Sequence, residues 1–277
     1  KHLVSSRSQM KLVVLLVITR ITLTRQTILR GTQWPAEDQL PSVVFLGDEL
    51  TSYGQQEGGW CNLLASKLLG KATVQNKDKA EANSDWGVSN VGSVVPVQRG
   101  LVATIWFGAS DEANHFMLGK PVDTFKANLA HIVETLAPKF ELVLLITPPP
   151  VHDASYATVF WKNHYGFVGK AGQVSRSLAA SELYADATCA VAQAKGIPCV
   201  DIWHRMQESN HLARSHNEAP GYKCDASNLH GPVVDPTTPW SNYLCDGLHL
   251  SPAGNQLVYE EIVLAIRRNL LHFNIDR

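Results

Sequence analysis

From residue 41 onward, apolar positions switch between two spacings. Residues 43–46 form a short continuous apolar run that stops at Gly47-Asp48, as do 102–107 before Gly108 and 142–146 before Thr147-Pro148-Pro149-Pro150. Runs of this length bounded by Gly or Pro predict buried strands. Between them, apolar residues recur at helical spacing. Trp60, Leu63, Leu64, Leu68 and Leu69 predict a helix over 59–69. Positions 122, 125, 129, 132, 133 and 136 predict one over 121–137, with Pro121 in its first turn. Residues 175–195 are Ala-rich and helical up to Gly196, and 198–202 reads as a further buried strand. Ser251-Pro252 supplies an N-cap and first-turn Pro for a last helix striped at 257, 258, 262, 263, 266 and 270. Residues 72–85 and 207–240 are polar and are predicted to be loops, the second long and rich in Pro and Gly.

Continuous apolar strands alternating with helices imply a parallel sheet covered on both faces. The expectation is one α/β domain over 41–277, preceded by a separate arm at 1–40. Ligands of such sheets bind beyond the carboxyl ends of the strands. This directs attention to 47–53, 108–112, 147–153 and the loop before the last helix.

Composition narrows the function. With 24 basic and 25 acidic residues in 277, the chain has a net charge of −1, which argues against a general nucleic-acid binder. The charge is unevenly placed. Lys1, Arg7, Lys11, Arg20, Arg25 and Arg30 fall within 1–36 without an acid, leaving 18 basic and 25 acidic residues, net −7, for the rest. The apolar run 12–18 is too short for a ~30 Å hydrocarbon core. An Arg-rich, acid-free N-terminus resembles an organelle transit segment, so a mitochondrial location is expected, with the cytoplasm or the secretory path as alternatives. If retained, the arm is expected to dock on protein subunits of a larger complex, with membrane-surface proximity also in view. The five Cys are at 61, 189, 199, 224 and 245, without a Cys-x-x-Cys pair. They predict reduced, buried thiols rather than a disulfide scaffold or zinc module, Cys224–Cys245 being the one bridge considered. Trp106 and Trp203 are predicted core residues.

The candidate chemistry lies at the strand ends: Gly47-Asp48-Glu49-Leu50-Thr51, Phe107-Gly108-Ala109-Ser110-Asp111 and Asp246-Gly247-Leu248-His249-Leu250-Ser251. An Asp three residues before a His orients the imidazole through one ring nitrogen and leaves the other as a base. Taken with Ile146-Thr147-Pro148-Pro149-Pro150-Val151 and Ser251-Pro252-Ala253-Gly254-Asn255, these segments resemble the SGNH or GDSL-type hydrolases, and most closely the isoamyl-acetate-hydrolysing branch. The resemblance runs from about residue 43 to about 271. It implies a three-layer α/β/α fold with a mainly parallel, flavodoxin-like sheet. It also implies a Ser–His–Asp esterase mechanism without a cofactor or metal. The first-block Ser attacks the ester, and the His and Asp of the last block act as base and orienter. The Ser N–H, a second-block Gly N–H and a third-block Asn amide hold the oxyanion.

The chain departs from that pattern at the chemistry. Asp246 and His249 stand at the retained triad positions, but Glu49 replaces the nucleophile and Ser110 the Asn. Gly87 fits the second block best, with Gly92 as the alternative, and the span to residue 102 is about one helix short. A carboxylate at 49 has no proton to give His249, and its charge opposes a forming oxyanion. Losing a triad nucleophile costs about 10⁶ in rate, and losing one oxyanion donor costs about 10²–10³. Thr51 and Ser52 are the nearest spare hydroxyls, expected to face away from His249. Glu49, His249 and Asp246 are expected to form a charge cluster with a protonated imidazole. A metal held by these three with His115 or His152 is the minor alternative. The function expected is a catalytically degenerate esterase-like protein serving as an accessory subunit. The alternative is an active hydrolase of small carboxylic esters that uses Asp246–His249.

Overall fold

The computed structural model describes residues 40–94, 100–113, 119–157, 176–208 and 238–276. The arm, His115, Cys224 and most of the 207–240 segment lie outside them. The compact unit spans Pro41–Arg277.

Five parallel strands form one sheet: β1 (Ser42–Gly47), β2 (Thr73–Asp78), β3 (Gly100–Trp106), β4 (Phe140–Ile146) and β5 (Cys199–Val200), in the order β2-β1-β3-β4-β5. The helices are α1 (Glu49–Gly54), α2 (Trp60–Lys67), α3 (Ser84–Asn90), α4 (Val122–Leu136), α5 (Leu178–Lys195), α6 (Ile202–Glu208) and α7 (Pro252–Asn269). This is the expected flavodoxin-like order, with helices on both faces.

Side chains alternate across each strand, so the central strands feed two cores. Val43, Phe45, Val102, Trp106, Leu142 and Leu144 pack with α2 and α7, and Val44, Leu46, Ala103, Ile105, Val143 and Leu145 pack with α4 and α5. Both faces of β1 and β3 are buried, which is why these strands are apolar throughout. Trp106 and Trp203 are core residues, as expected. Ser177 and Ser251 cap α5 and α7, accepting from Ala180 N–H (3.1 Å) and Gly254 N–H (3.2 Å). Gly196 ends α5 with φ 65°.

Four expectations are corrected. The polar stretch 72–85 contains β2, an edge strand that is mostly exposed or half-buried; one-sided burial removes the apolar signal. The predicted strand at 198–202 shrinks to two residues, and Ile202 already opens α6. The crossover before β3 is not missing a helix. Asn83 caps α3, which packs on α4, and a 3₁₀ turn (Val91–Val94) continues it. Finally, Cys189 and Cys199 are not thiols but a disulfide, Cα atoms 5.3 Å apart, tying α5 to the edge strand β5. Cys245 is also disulfide-bonded, while Cys61 is a buried free thiol.

Candidate functional site

The connection from β1 runs to β2 on one side of the sheet, and that from β3 runs to β4 on the other. Their carboxyl ends therefore flank the switch point of the sheet. Asp48 N–H is held by Trp106 O (3.1 Å), and the Asp48 carboxylate caps α1 by accepting from Leu50 N–H (3.0 Å). This fixes Glu49 as the first residue of α1 and buries its side chain. Ser110 follows β3 and is fully buried.

The two oxygens of Glu49 are both engaged. Ser110 Oγ donates to Oε2 at 2.8 Å, and Arg176 Nη1 donates to Oε1 at 3.1 Å. The pair is nearly dry, with side-chain exposures of 5% for Arg176 and 6% for Glu49. The Arg176 guanidinium also lies over the Tyr156 ring, 5.4 Å from its centroid. Burial works against ionised Glu49, but Arg176 foremost, then His249 and the Ser110 hydrogen bond, outweigh it and hold the carboxyl below its usual range. Glu112 lies in the same electrostatic neighbourhood. Burial raises its pKa well above the ordinary value, and neither of its oxygens has a hydrogen-bond partner among the described residues.

The retained dyad is intact. His249 Nδ1 meets Asp246 Oδ2 at 2.7 Å, while Asp246 Oδ1 accepts from the N–H groups of Leu248 (2.9 Å) and His249 (2.8 Å). A glycine is required between them. Gly247 has φ 95°, and a Cβ there would stand 2.6 Å from His152 O and Tyr156 N. The Tyr53 ring meets the imidazole edge-on at 4.7 Å. Burial pulls the His249 pKa down, but the charge and hydrogen bond of Asp246, with a smaller contribution from Glu49, carry it above 6.5. Asp246 is correspondingly lowered, His249 overcoming its burial.

Glu49 and His249 each shift the other's titration, but their bonding differs from the expected cluster. Among the described residues no hydrogen bond joins Glu49 to His249; the cation paired with Glu49 is Arg176. Gly87 is also corrected. It lies inside α3 against Phe107 and Ile132, and its N–H donates to Asn83 O at 3.3 Å, so it is no oxyanion donor. Gly92 lies in the following 3₁₀ turn. Neither spare hydroxyl is turned to His249. Thr51 Oγ1 is buried against Gly47, and Ser52 Oγ donates to Asp78 at the end of β2. His152 Nδ1 is 2.6 Å from Ser155 Oγ and the ring packs on Trp240. Among the described residues no cluster of His, Cys, Asp or Glu is placed to hold a metal.

Arg176 is the residue that the sequence pattern did not single out. It sits 127 positions from Glu49, just before the cap of α5, with no local motif around it. The available signal was indirect: a buried carboxylate requires a cation.

Comparison with known proteins bears on the family and the fold. Residues 45–257 match the GDSL-like Lipase/Acylhydrolase family. The chain belongs to that family. It is 31% identical over 230 residues to the isoamyl acetate-hydrolyzing esterase 1 homolog of Rattus norvegicus, covering 79% of this chain and 78% of that one. A GDSL esterase/lipase of Arabidopsis thaliana is 29% identical over 243 residues, 82% of this chain and 86% of its own. Among solved structures, a lipase/acylhydrolase from Enterococcus faecalis superposes with a TM-score of 0.58 at 20% identity, covering 83% of this chain and 96% of its own. An acetylxylan esterase from Geobacillus stearothermophilus gives 0.57 at 15%, covering 86% and 96%. The last two likenesses speak to the fold.

The electrostatics carry a pH signature. Glu49 and Asp246, held low, contribute stability that is present above the ordinary carboxylate range and lost as pH falls through it. Burial raises Asp111 to about 6 and raises Asp48 and Glu112 well above their ordinary values; Asp246 raises His249 as well. These four contribute most at low pH, and their contribution is lost as pH rises through their folded values. The melting temperature is therefore expected to peak near the ordinary carboxylate range, at about pH 4, and fall toward pH 8. The His249→Gln variant should flatten the fall above the ordinary histidine range. Thermal melts across pH test this, and a native melting temperature that climbs from neutral to alkaline pH contradicts it.

Proposed function

We propose that this member of the GDSL family is a catalytically degenerate esterase fold working as a structural or accessory subunit of a larger assembly. The observation that carries this reading is the state of Glu49. At the position where the family resemblance places a nucleophile, both carboxylate oxygens are engaged, one by a buried arginine and one by Ser110. A serine-type attack needs a hydroxyl there whose proton passes to His249. A buried ion pair offers neither the hydroxyl nor the proton. Ser110 supplies a hydroxyl in place of an amide and has already donated it to Glu49.

The intact Asp246–His249 pair supports the second reading, an active hydrolase of small esters with a rearranged site. It carries less, because neither Thr51 nor Ser52 is turned to that histidine.

Partners are assigned to the basic arm 1–40. The arm keeps a mitochondrial location as our reading, with the cytoplasm as the alternative. The Cys189–Cys199 bond weighs for an oxidising space over a reducing one. Native purification tests the assembly role. The protein should elute with other subunits at a mass well above its 30.4 kDa, and removing the arm should release it. Recovery of the full chain as a free monomer contradicts the role.

A further inference from the structure

The end of the sheet opposite the site carries a combination that the functional reading does not use. Helices α2 and α7 pack side by side and both finish there, at the amino ends of the strands. Three large hydrophobic residues are strongly exposed among the described residues: Leu69 (83%), Leu271 (87%) and Leu183 (52%). The two most exposed follow the ends of these two helices. They are held in one small region by cross-links between the segments. Lys71 Nζ donates to Ile275 O at 2.7 Å, and Asp276 pairs with Lys67 at 3.2 Å and with Arg267 at 2.6 Å. The leucines therefore project from a braced rim.

The charge around them is mostly basic, the acids there being Asp276 and Glu141, which His272 meets at 2.9 Å. Lys67 and Arg267 share the single Asp276. Arg268 and Lys139 are exposed and make no ion pair among the described residues. Lys139 belongs to the same end, since its carbonyl accepts from Gly100 N–H at the start of β3. The chain also enters the sheet here, where Thr73 N–H donates to Pro41 O at 2.9 Å. Upstream of Pro41 come the acids Glu37 and Asp38, and before them the segment 1–36 with six basic residues and no acid.

Isolated exposed leucines are ordinary. Two on cross-linked segments at one end of the domain, with Lys67, Lys139, Arg267 and Arg268 at the same end, match the chemistry of a bilayer surface that is apolar below and anionic above. We infer that the Leu69–Leu271 end of the domain docks on an anionic membrane surface. The leucines enter the acyl boundary and the surrounding cations meet lipid headgroups. No helix among the described residues is long and apolar enough to cross a membrane, so the contact is peripheral. Strands of six or seven residues place the Glu49 site about 20 Å from the bilayer, facing away from it.

The test is co-sedimentation of the full chain with vesicles. One vesicle set is phosphatidylcholine alone; the other is a phosphatidylserine–phosphatidylcholine mixture. The native protein should pellet with the mixed vesicles, less with neutral ones, and less again at high salt. Each leucine entering the acyl boundary should strengthen binding by about tenfold or more, so Leu69→Glu with Leu271→Glu should abolish most of it. Both sites are exposed, so the melting temperature of the double variant should not move. Absence of native binding overturns the inference. So does binding that the double variant retains, which would assign it to residues 1–36 alone. Concentration-dependent self-association lost in the variant, without vesicle binding, would overturn it in favour of a second copy of this chain.

Discussion

Arg176→Met is expected to lower folding stability by about 3–5 kcal/mol, because it leaves Glu49 as an uncompensated buried charge. For a domain of this size that corresponds to roughly 6–20 °C in melting temperature. After the substitution, Ser110 is the one hydrogen-bond partner left to the carboxylate among the described residues, at a position 5% exposed to solvent. The stranded charge, rather than lost packing, is the cause. Adding Glu49→Gln to Arg176→Met should therefore return most of the loss, since replacing both partners of a buried pair by neutral groups is often close to neutral. Denaturant melts of the two single variants and the double variant give the coupling directly. A loss under about 1 kcal/mol for Arg176→Met is what an exposed pair gives, and would mean that the pair is solvated.

The second large effect is a gain. Glu49→Ser removes the charge that opposes an oxyanion and restores a hydroxyl beside an intact Asp246–His249 dyad. Turnover of a short-chain p-nitrophenyl ester should appear in this variant and vanish when His249→Ala is added. Ser110→Asn on top of Glu49→Ser should raise it a further 10²–10³-fold or so, the worth of one oxyanion donor. Because a missing nucleophile costs about 10⁶, the revived double variant should exceed the native protein by about 10³ or more. A double variant that melts like the native protein but shows no turnover would mean that the dyad does not reach residue 49.

Where one face or both faces of an element are buried in bulk, the sequence was legible. The runs at 43–46, 102–107 and 142–146 are apolar throughout because both sheet faces are covered. The stripes of α4 and α7 follow from one buried face. β2 was not legible because it is an edge strand whose side chains are largely in water. The disulfide was not legible either, since Cys189 and Cys199 come together only when α5 folds back along β5. The site shows the same division. Asp246 and His249 are three residues apart and signal each other locally. Glu49 and Arg176 meet only through the fold, so the sequence pointed to an unusual carboxylate but not to its cation. Gly87 was misplaced because it was matched to the second block by its neighbours alone, whereas the Asn83 cap makes it a helix residue packed on Phe107.

The most direct test of the central claim is hydrolysis of a short-chain p-nitrophenyl ester by the native protein beside His249→Ala. Catalytic degeneracy predicts two rates equal to each other and indistinguishable from buffer. Native turnover that His249→Ala abolishes would contradict it, because the dyad would then be serving a nucleophile other than Glu49.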